Sequence, residues 1–359
     1  MMGMRKAHAG KSAPSKTKRV LVIRFGATSD FVQMLAAAKI IREHHVGARV
    51  TLLTSEQFRP LAEKCPYFDT VETDVAAART ALASSDQSAR APHGPGANGH
   101  DGPAIVQLIG RVRAAKYDMV YDFEASRRTN AIYQGLRPWP PHWSGSAPKC
   151  SHPFDEEGQM HPLDRLAEQL RSAGVEVGEP LQPDLSWIRT ALRDPPRLQP
   201  EYFGIRGRYV LLLPRGSEVG KKPRWPLEKY CALANRVSAQ GVTPVVLGGA
   251  EEREIGAAIA KAERHAKNLT MRPDLFQIAG LGERASYAVA DDVDLLHLAA
   301  AGGAPCLVFM STRDDVELRA PRGPGGVVGL TASIIADIPI DQVDRQIRNC
   351  GVYAQAATA

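Results

Sequence analysis

Two α/β domains, each built on a parallel, doubly wound sheet, are the fold that this 359-residue sequence predicts. The first observation is length, since single cores stop growing at roughly 250–300 residues. The second is pattern: short β-branched or apolar runs alternate with helical periodicities instead of clustering, as in parallel sheets with crossover helices. The third is the proline-rich stretch PDLSWIRTALRDPPRLQPEYFG, which interrupts that alternation midway and reads as a linker.

The first half opens with RVLVI (Arg19 to Ile23), a β-branched strand, followed by a loop and a helical pattern from Asp30 to His44. RVTLL (Arg49 to Leu53), TVET (Thr70 to Thr73) and YDMVYDF (Tyr117 to Phe123) are the next strands. Between Ser84 and Pro103 the chain is rich in turn formers and nearly free of apolar side chains, so a mobile surface insertion is expected over 84–103. His93 and His100 fall inside it and are not expected to hold a metal. The second half runs YVLLL (Tyr209 to Leu213), a polar loop, a helix from Leu227 to Gln240, the strand TPVVL and a helix launched by GGAEERE. Then come the strand AVADD, the helix containing HLAAA, and the strands CLVFM and GVVGL. The expected layout is a basic tail (1–18), a first domain (19–190), a second (205–335), and a closing helix and tail (336–359). Ligands of such sheets bind beyond the carboxyl ends of the strands, so the two domains are expected to face a central cleft.

Composition sets the boundaries of function. At 44% hydrophobic and 23% charged residues, this is an ordinary globular chain. Five scattered cysteines without a CxxC pair argue against a disulfide framework and a zinc site, and fit a reducing cytoplasm. No apolar run approaches the ~20 residues that cross a bilayer, and the N-terminus lacks a secretory core, so a cytoplasmic location is expected. The net charge of +6 is matched by residues 1–19 alone, where Arg5, Lys6, Lys11, Lys16, Lys18 and Arg19 stand without an acid. The remainder is balanced, which excludes a compact basic nucleic-acid domain. The tail reads as solvated and disordered; attraction to an anionic membrane, worth ~1 kcal/mol per basic residue near the lipid, is the second reading.

One junction carries ligand chemistry. DDVDLLHLAAAGGAP (Asp291 to Pro305) places an acidic turn and a small-residue helix directly after a buried strand. Free N–H groups and the positive dipole end of such a helix suit a phosphate, and point to a nucleotide-type ligand. Val293, Asp294 and Leu295 occupy the turn where glycine would allow the closest approach. A nicotinamide-dependent dehydrogenase is disfavoured, because GATSDF after the first strand lacks the GxGxxG spacing.

Six segments, in order, resemble the lipopolysaccharide heptosyltransferases and their relatives, glycosyltransferase family 9. RVLVIRFGATSD is similar to the family's opening strand and loop, which usually ends Gly-Asp. YDMVYDFEASRRTN resembles its DLQGSxRS segment, and MHPLDRL its HxxDR helix. PRGSEVGKKPRWPLEKY is similar to HPGxxxxKRWP, VVLGGAEEREI to VLLGGPxERE, and DDVDLLHLAAAGGAP to NDTGPMHLAAAxGxP. The resemblance covers most of residues 19–335. It implies the GT-B fold, two Rossmann-like domains facing a cleft, with an acceptor domain first and a nucleotide-sugar donor domain second. It also implies an inverting, metal-independent transfer of a sugar, such as heptose from an ADP-linked donor, onto a lipopolysaccharide core or related lipid-linked glycan. No cofactor and no nucleic acid are implied; peripheral contact with the inner face of the inner membrane fits such an acceptor. A family member that has kept the fold but lost the donor site, acting as a binding or scaffolding protein, is the alternative. The closing helix, around Asp341 to Arg348, is expected to return to the first domain, as is common in GT-B enzymes.

The resemblance also assigns residues. Asp30 matches the family's general base, although its type and place suit a helix cap equally well; Ser29 beside it stands where glycine is usual. Lys221, Lys222 and Arg224, in the loop before Trp225, can balance donor phosphates, or form a solvated basic loop. The family's lysine position is Pro223 here, and Trp225 is expected to pack on the sheet. Gly248 and Gly249 make the turn into the next helix, where Glu251 can accept ribose hydroxyls or favour the helix N-terminus. Asp292 and His297 keep the family's residue types at the donor loop, whereas Val293 and Asp294 depart from it. Asp294 adds a negative charge where a diphosphate would lie. Asp292-Val293-Asp294 has the form of a DxD magnesium site, but short acidic triplets are common on surfaces and no metal is expected.

Overall fold

The computed structural model describes residues 17–74, 102–154, 159–178, 180–191, 195–215, 224–291 and 294–353. Residues 1–16 of the tail and 84–101 of the expected insertion lie outside them, as do Lys221, Lys222, Asp292 and Val293. The chain divides into two compact units, Met1–Leu181 and Gln182–Ala359.

The first unit holds β1 (Arg19–Ile23), α1 (Thr28–His44), β2 (Arg49–Thr54), α2 (Arg59–Lys64), β3 (Thr70–Thr73), α3 (Gly102–Ala115) and β4 (Met119–Asp122). It continues with α4 (Arg127–Gly135), β5 (His142–Gly145), β6 (His152–Pro153) and α5 (Pro162–Ser172). Its sheet has the order β3-β2-β1-β4-β5-β6, with every pair parallel. Val20 to Ile23 and Met119 to Asp122 are buried without polar alternation, as strands covered on both faces must be. One apolar cluster joins Leu21 and Ile23 of β1 to Val120 of β4, Leu108 and Val112 of α3, Ile132 and Tyr133 of α4, and Trp143 of β5.

The second unit begins with α6 (Ile188–Ala191) and continues with β7 (Tyr209–Leu213), α7 (Leu227–Ala239), β8 (Thr243–Val246), α8 (Arg253–Ala262) and β9 (Lys267–Asn268). Then follow α9 (Leu275–Arg284), β10 (Tyr287–Asp291), α10 (Asp294–Gly302), β11 (Cys306–Ser311), α11 (Val316–Arg319), β12 (Val327–Ala332) and α12 (Ile340–Asn349). The order β12-β11-β10-β7-β8-β9 is again all parallel. In both units, therefore, the first and fourth strands of the unit lie side by side at the centre. The connection reverses direction between them, which is the switch point where such sheets bind ligands.

Three expectations change on contact with the structure. The stretch expected as a linker is packed. The Gln277 amide donates to the Arg197 carbonyl (3.3 Å), Arg189 pairs with Glu283 (2.6 Å), and a Cβ on Gly280 would lie 2.8 Å from the Leu198 carbonyl. Its prolines bend a segment that covers α9. The closing helix α12 stays with the second unit: Val343 and Ile347 join the core of Trp225, Tyr230 and Phe309, and Arg236 of α7 pairs with Asp341 (2.6 Å). Lys229 holds the approach to it through the Ala336 and Ile338 carbonyls (2.7 and 2.9 Å). The third change is α9 itself, which the hydrophobic pattern does not announce.

Candidate active site

In the first unit the polar residues collect where β1 and β4 end. β1 runs into Arg24-Phe25-Gly26-Ala27, and α1 starts at Thr28, which puts Asp30 in the third helical position. Its Oδ2 accepts the Ala27 N–H (3.0 Å), so Asp30 folds back over the helix start and serves as a cap. Gly26 makes this possible, because a Cβ there would collide with the Asp30 carboxylate. Oδ1 accepts from the Arg24 guanidinium, which is buried and also donates to the Phe123 carbonyl. Burial pushes the Asp30 carboxyl up, but Arg24, the Ala27 N–H and Arg165 of α5 outweigh it and hold it below the ordinary carboxylate range. The side chain remains 35% exposed. The cap and an ionised carboxylate reachable by a hydroxyl thus coexist in one residue. Ser29 is buried in the same turn.

Residues absent from the sequence reading complete this site. Asp122 ends β4, and its Oδ1 accepts the N–H groups of Glu124 and Ala125 (3.1 Å each); burial pushes its carboxyl up to about 7. That turn aims Glu124 back at the first loop, where its Oε2 accepts the N–H groups of Phe25 and Gly26 (3.0 and 3.4 Å). His161, the histidine of MHPLDRL, is the N-cap of α5, its Nδ1 accepting the Leu163 N–H (3.1 Å), which sets Arg165 in the first turn. The signal for Arg24 was available, since a lone arginine directly after a buried β-branched strand needs a partner.

In the second unit the equivalent position is dominated by Asp291, the last residue of β10 and 1% exposed. Its carboxylate accepts the Arg215 N–H (3.1 Å), the Trp225 N–H (3.1 Å) and the Tyr230 hydroxyl (3.0 Å). One buried side chain thereby ties both ends of the polar loop expected to carry the donor lysines. Burial pushes the Asp291 carboxyl up against these bonds. Sequence reasoning chose its neighbour Asp292, whereas β10 is buried at every position from Tyr287 through Asp291. Trp225 packs as expected, 4.7 Å from Phe309 between ring centroids, and its indole N–H donates to the Ile338 carbonyl (2.9 Å). Arg224 is exposed.

The turn after β8 also differs in detail. Glu252, not Glu251, folds back, with its Oε2 accepting the Gly249 N–H (2.7 Å), and a Cβ on Gly248 would collide with it. Glu251 is exposed two residues before α8 begins. Asp294 occupies the first turn of α10, where a negative charge complements the helix dipole, and His297 one turn on is 8% exposed. The helix itself is carried on α9 with almost no side chain between: a Cβ on Gly282 would lie 2.5 Å from the Ala299 carbonyl, and one on Gly302 2.5 Å from the Ala279 carbonyl. Among the described residues, no group of three or more His, Cys, Asp or Glu side chains is arranged to hold a metal. Among the same residues, no helix is long and apolar enough to cross a membrane.

Comparison with known proteins follows this geometry. The chain superposes on a family 9 glycosyl transferase from Veillonella parvula with a TM-score of 0.75 at 15% identity, covering 95% of this chain and 99% of that one. Against the Escherichia coli ADP-heptose lipopolysaccharide heptosyltransferase II the TM-score is 0.69 at 17% identity, covering 92% and 98%. Against E. coli heptosyltransferase WaaC with ADP it is 0.68 at 17%, covering 92% and 99%. The fold is that of the GT-B heptosyltransferases. A stretch of 99 residues is 29% identical to lipooligosaccharide heptosyltransferase 2 of Haemophilus influenzae, spanning 26% of this chain and 29% of that relative. The family model for glycosyltransferase family 9 (heptosyltransferase) matches residues 105–320, more than half the chain, and this protein belongs to that family.

Proposed function

We propose that this chain is an inverting, metal-independent heptosyltransferase that takes an ADP-linked heptose as donor and a lipid-linked core oligosaccharide as acceptor. Family membership and the fold shared with enzymes described with ADP and ADP-heptose analogues support the reading. The observation that carries it is Asp30: an ionised, partly exposed carboxylate locked at the switch point of the first sheet by the Ala27 N–H and Arg24. In a single displacement Asp30 accepts the proton of an acceptor hydroxyl as its oxygen attacks the anomeric carbon from the face opposite the nucleotide. The bond from that carbon to the donor phosphate breaks, and the nucleoside diphosphate leaves with the electron pair. The second unit binds the donor. The N-terminal end of α10, Arg224, and Lys221 and Lys222 supply positive potential for the leaving diphosphate, with Gly248, Gly249 and Glu251 toward the nucleoside and Asp292 and His297 at the sugar-phosphate end. In this reading the basic tail holds the protein near an anionic membrane bearing the acceptor.

The test combines product analysis with one substitution. With ADP-heptose and truncated lipopolysaccharide, mass spectrometry should show one added heptose, and NMR an anomeric configuration opposite to the donor's, in the presence of EDTA. Asp30→Asn should lower turnover by about 10²- to 10⁴-fold while ADP binding by calorimetry is retained. Wild-type-like turnover in a folded Asp30→Asn protein would leave Asp30 as a cap alone.

A further inference from the structure

The loop that carries Asp30 is held by a second carboxylate, Glu124, to which the proposed reaction gives no role. Glu124 Oε2 accepts two N–H groups of that loop, from Phe25 and Gly26. A neutral amide oxygen would accept the same two bonds, and the family pattern that YDMVYDFEAS resembles has glutamine at this position. Hydrogen bonding therefore does not account for the charge. Gly26 touches both carboxylates, bonded through its N–H to Glu124 and lying against the Asp30 side chain. Two carboxylates thus converge on one glycine, and the buried Arg24 guanidinium faces both of them and Asp122. Arg165 of α5 also faces Asp30. Arg24 and Arg165 together favour ionisation of Asp30 and so weaken it as a proton acceptor; a nearby negative charge opposes them.

We propose that Glu124 is a positioning residue: its two accepted bonds fix the Asp30 loop, and its negative charge opposes that of Arg24 beside Asp30. This rests on the reading of Asp30 as the general base. It explains why a carboxylate, and not an amide, closes the loop in a chain whose Asp30 is paired so tightly with arginine.

The test reads Asp30 without substrate. Carbodiimide modifies the protonated carboxyl, so at pH 5.5 the labelling rate of the Asp30 peptide, followed by mass spectrometry against the exposed Glu251, reports the protonated fraction. Glu124→Gln keeps both acceptor bonds and loses the charge. Asp30 labelling should fall by about 3- to 10-fold, the equivalent of a shift of about 0.5 to 1 pH unit. Turnover should fall with it, with the KM for donor and the Kd for ADP unchanged. Glu124→Asp, which keeps the charge on a shorter arm, should leave Asp30 labelling near wild type while lowering the melting temperature. Unchanged or faster labelling in Glu124→Gln would overturn the proposal. Slower labelling combined with full turnover in Asp30→Asn would keep the effect of Glu124 and remove the general-base reading, so the two failures are distinct.

Discussion

At the level of single residues, the proposed donor end of the site turns on Asp294. Its carboxylate sits in the first turn of α10, favourable for the helix and unfavourable for a diphosphate approaching the same N–H groups. Asp294→Gly removes the repulsion and restores a permissive backbone, so ADP affinity should rise by about 5- to 30-fold, or 1–2 kcal/mol, read by calorimetry. The melting temperature should fall slightly, since the helix loses a favourable charge worth about 0.3–1 kcal/mol. Unchanged affinity would show that the carboxylate turns away from the nucleotide. The residues proposed to carry chemistry are those a motif names in the sequence, as with Asp30 and His297. The residues that hold the loops in place, Arg24, Glu124 and Asp291, are named by no motif, and for Arg24 the sequence signals only that a partner is needed, not which one. Each has backbone partners some 65 to 100 residues away, as with Trp225 and Asp291 or Arg24 and Phe123, and no local pattern records such a pairing.

Among the elements, β4 meets two buried titratable groups with opposite pH dependence, Asp122 at its own end and His45, which follows α1 and bonds Tyr121. Tyr121 bonds the His45 ring (2.8 Å), and burial lowers that imidazole to about 4, while the adjacent Asp122 is pushed up to about 7. Between pH 4.5 and 6.5 the unfolded chain protonates His45 and the native state does not, so this group makes stability rise with pH. Over the same window native Asp122 holds a proton that the unfolded chain has lost, so it makes stability fall with pH. The two slopes, each near 1.4 kcal/mol per unit, cancel. Urea denaturation at pH 4.5, 5.5 and 6.5 should show His45→Gln losing ground to wild type as pH rises and Asp122→Asn gaining it; parallel curves would mean neither group is perturbed. The α9–α10 contact supplies a second test. Gly282→Ala drives a methyl against the Ala299 carbonyl and should cost about 1–3 kcal/mol, seen as a lower melting temperature, with weaker ADP binding as α10 is displaced. The same glycines explain why α9 escaped the sequence pattern. Gly280 and Gly282 take positions where an apolar stripe would have betrayed a helix, and only the Asp274 to Gln277 capping box marks its start.

For the molecule as a whole, the central strands of both sheets were legible, because buried parallel strands leave continuous apolar runs, whereas the short edge-side strands β5, β6 and β9 leave none; six short segments in order identify the family. The division of the chain was less so. Prolines between 183 and 200 suggest a free connection, yet the backbone there lies on α9. A fragment starting at Gln182 should therefore fold cooperatively and show dispersed amide NMR signals, whereas one starting at Ile205 should melt earlier or aggregate; equal stability would return the segment to the status of a linker. The repeated strand order has a use beyond architecture. In each unit the fourth strand ends in a water-excluded aspartate, Asp122 or Asp291, whose oxygens accept backbone N–H groups, but only Asp291 reaches across to another connection. The molecule thus contains its own reference measurement. Whatever Asp→Asn costs at residue 122 estimates the local cost of losing such a carboxylate, and the excess at residue 291 is the energy that one side chain contributes to keeping Arg215 and Trp225, the two ends of one connection, together.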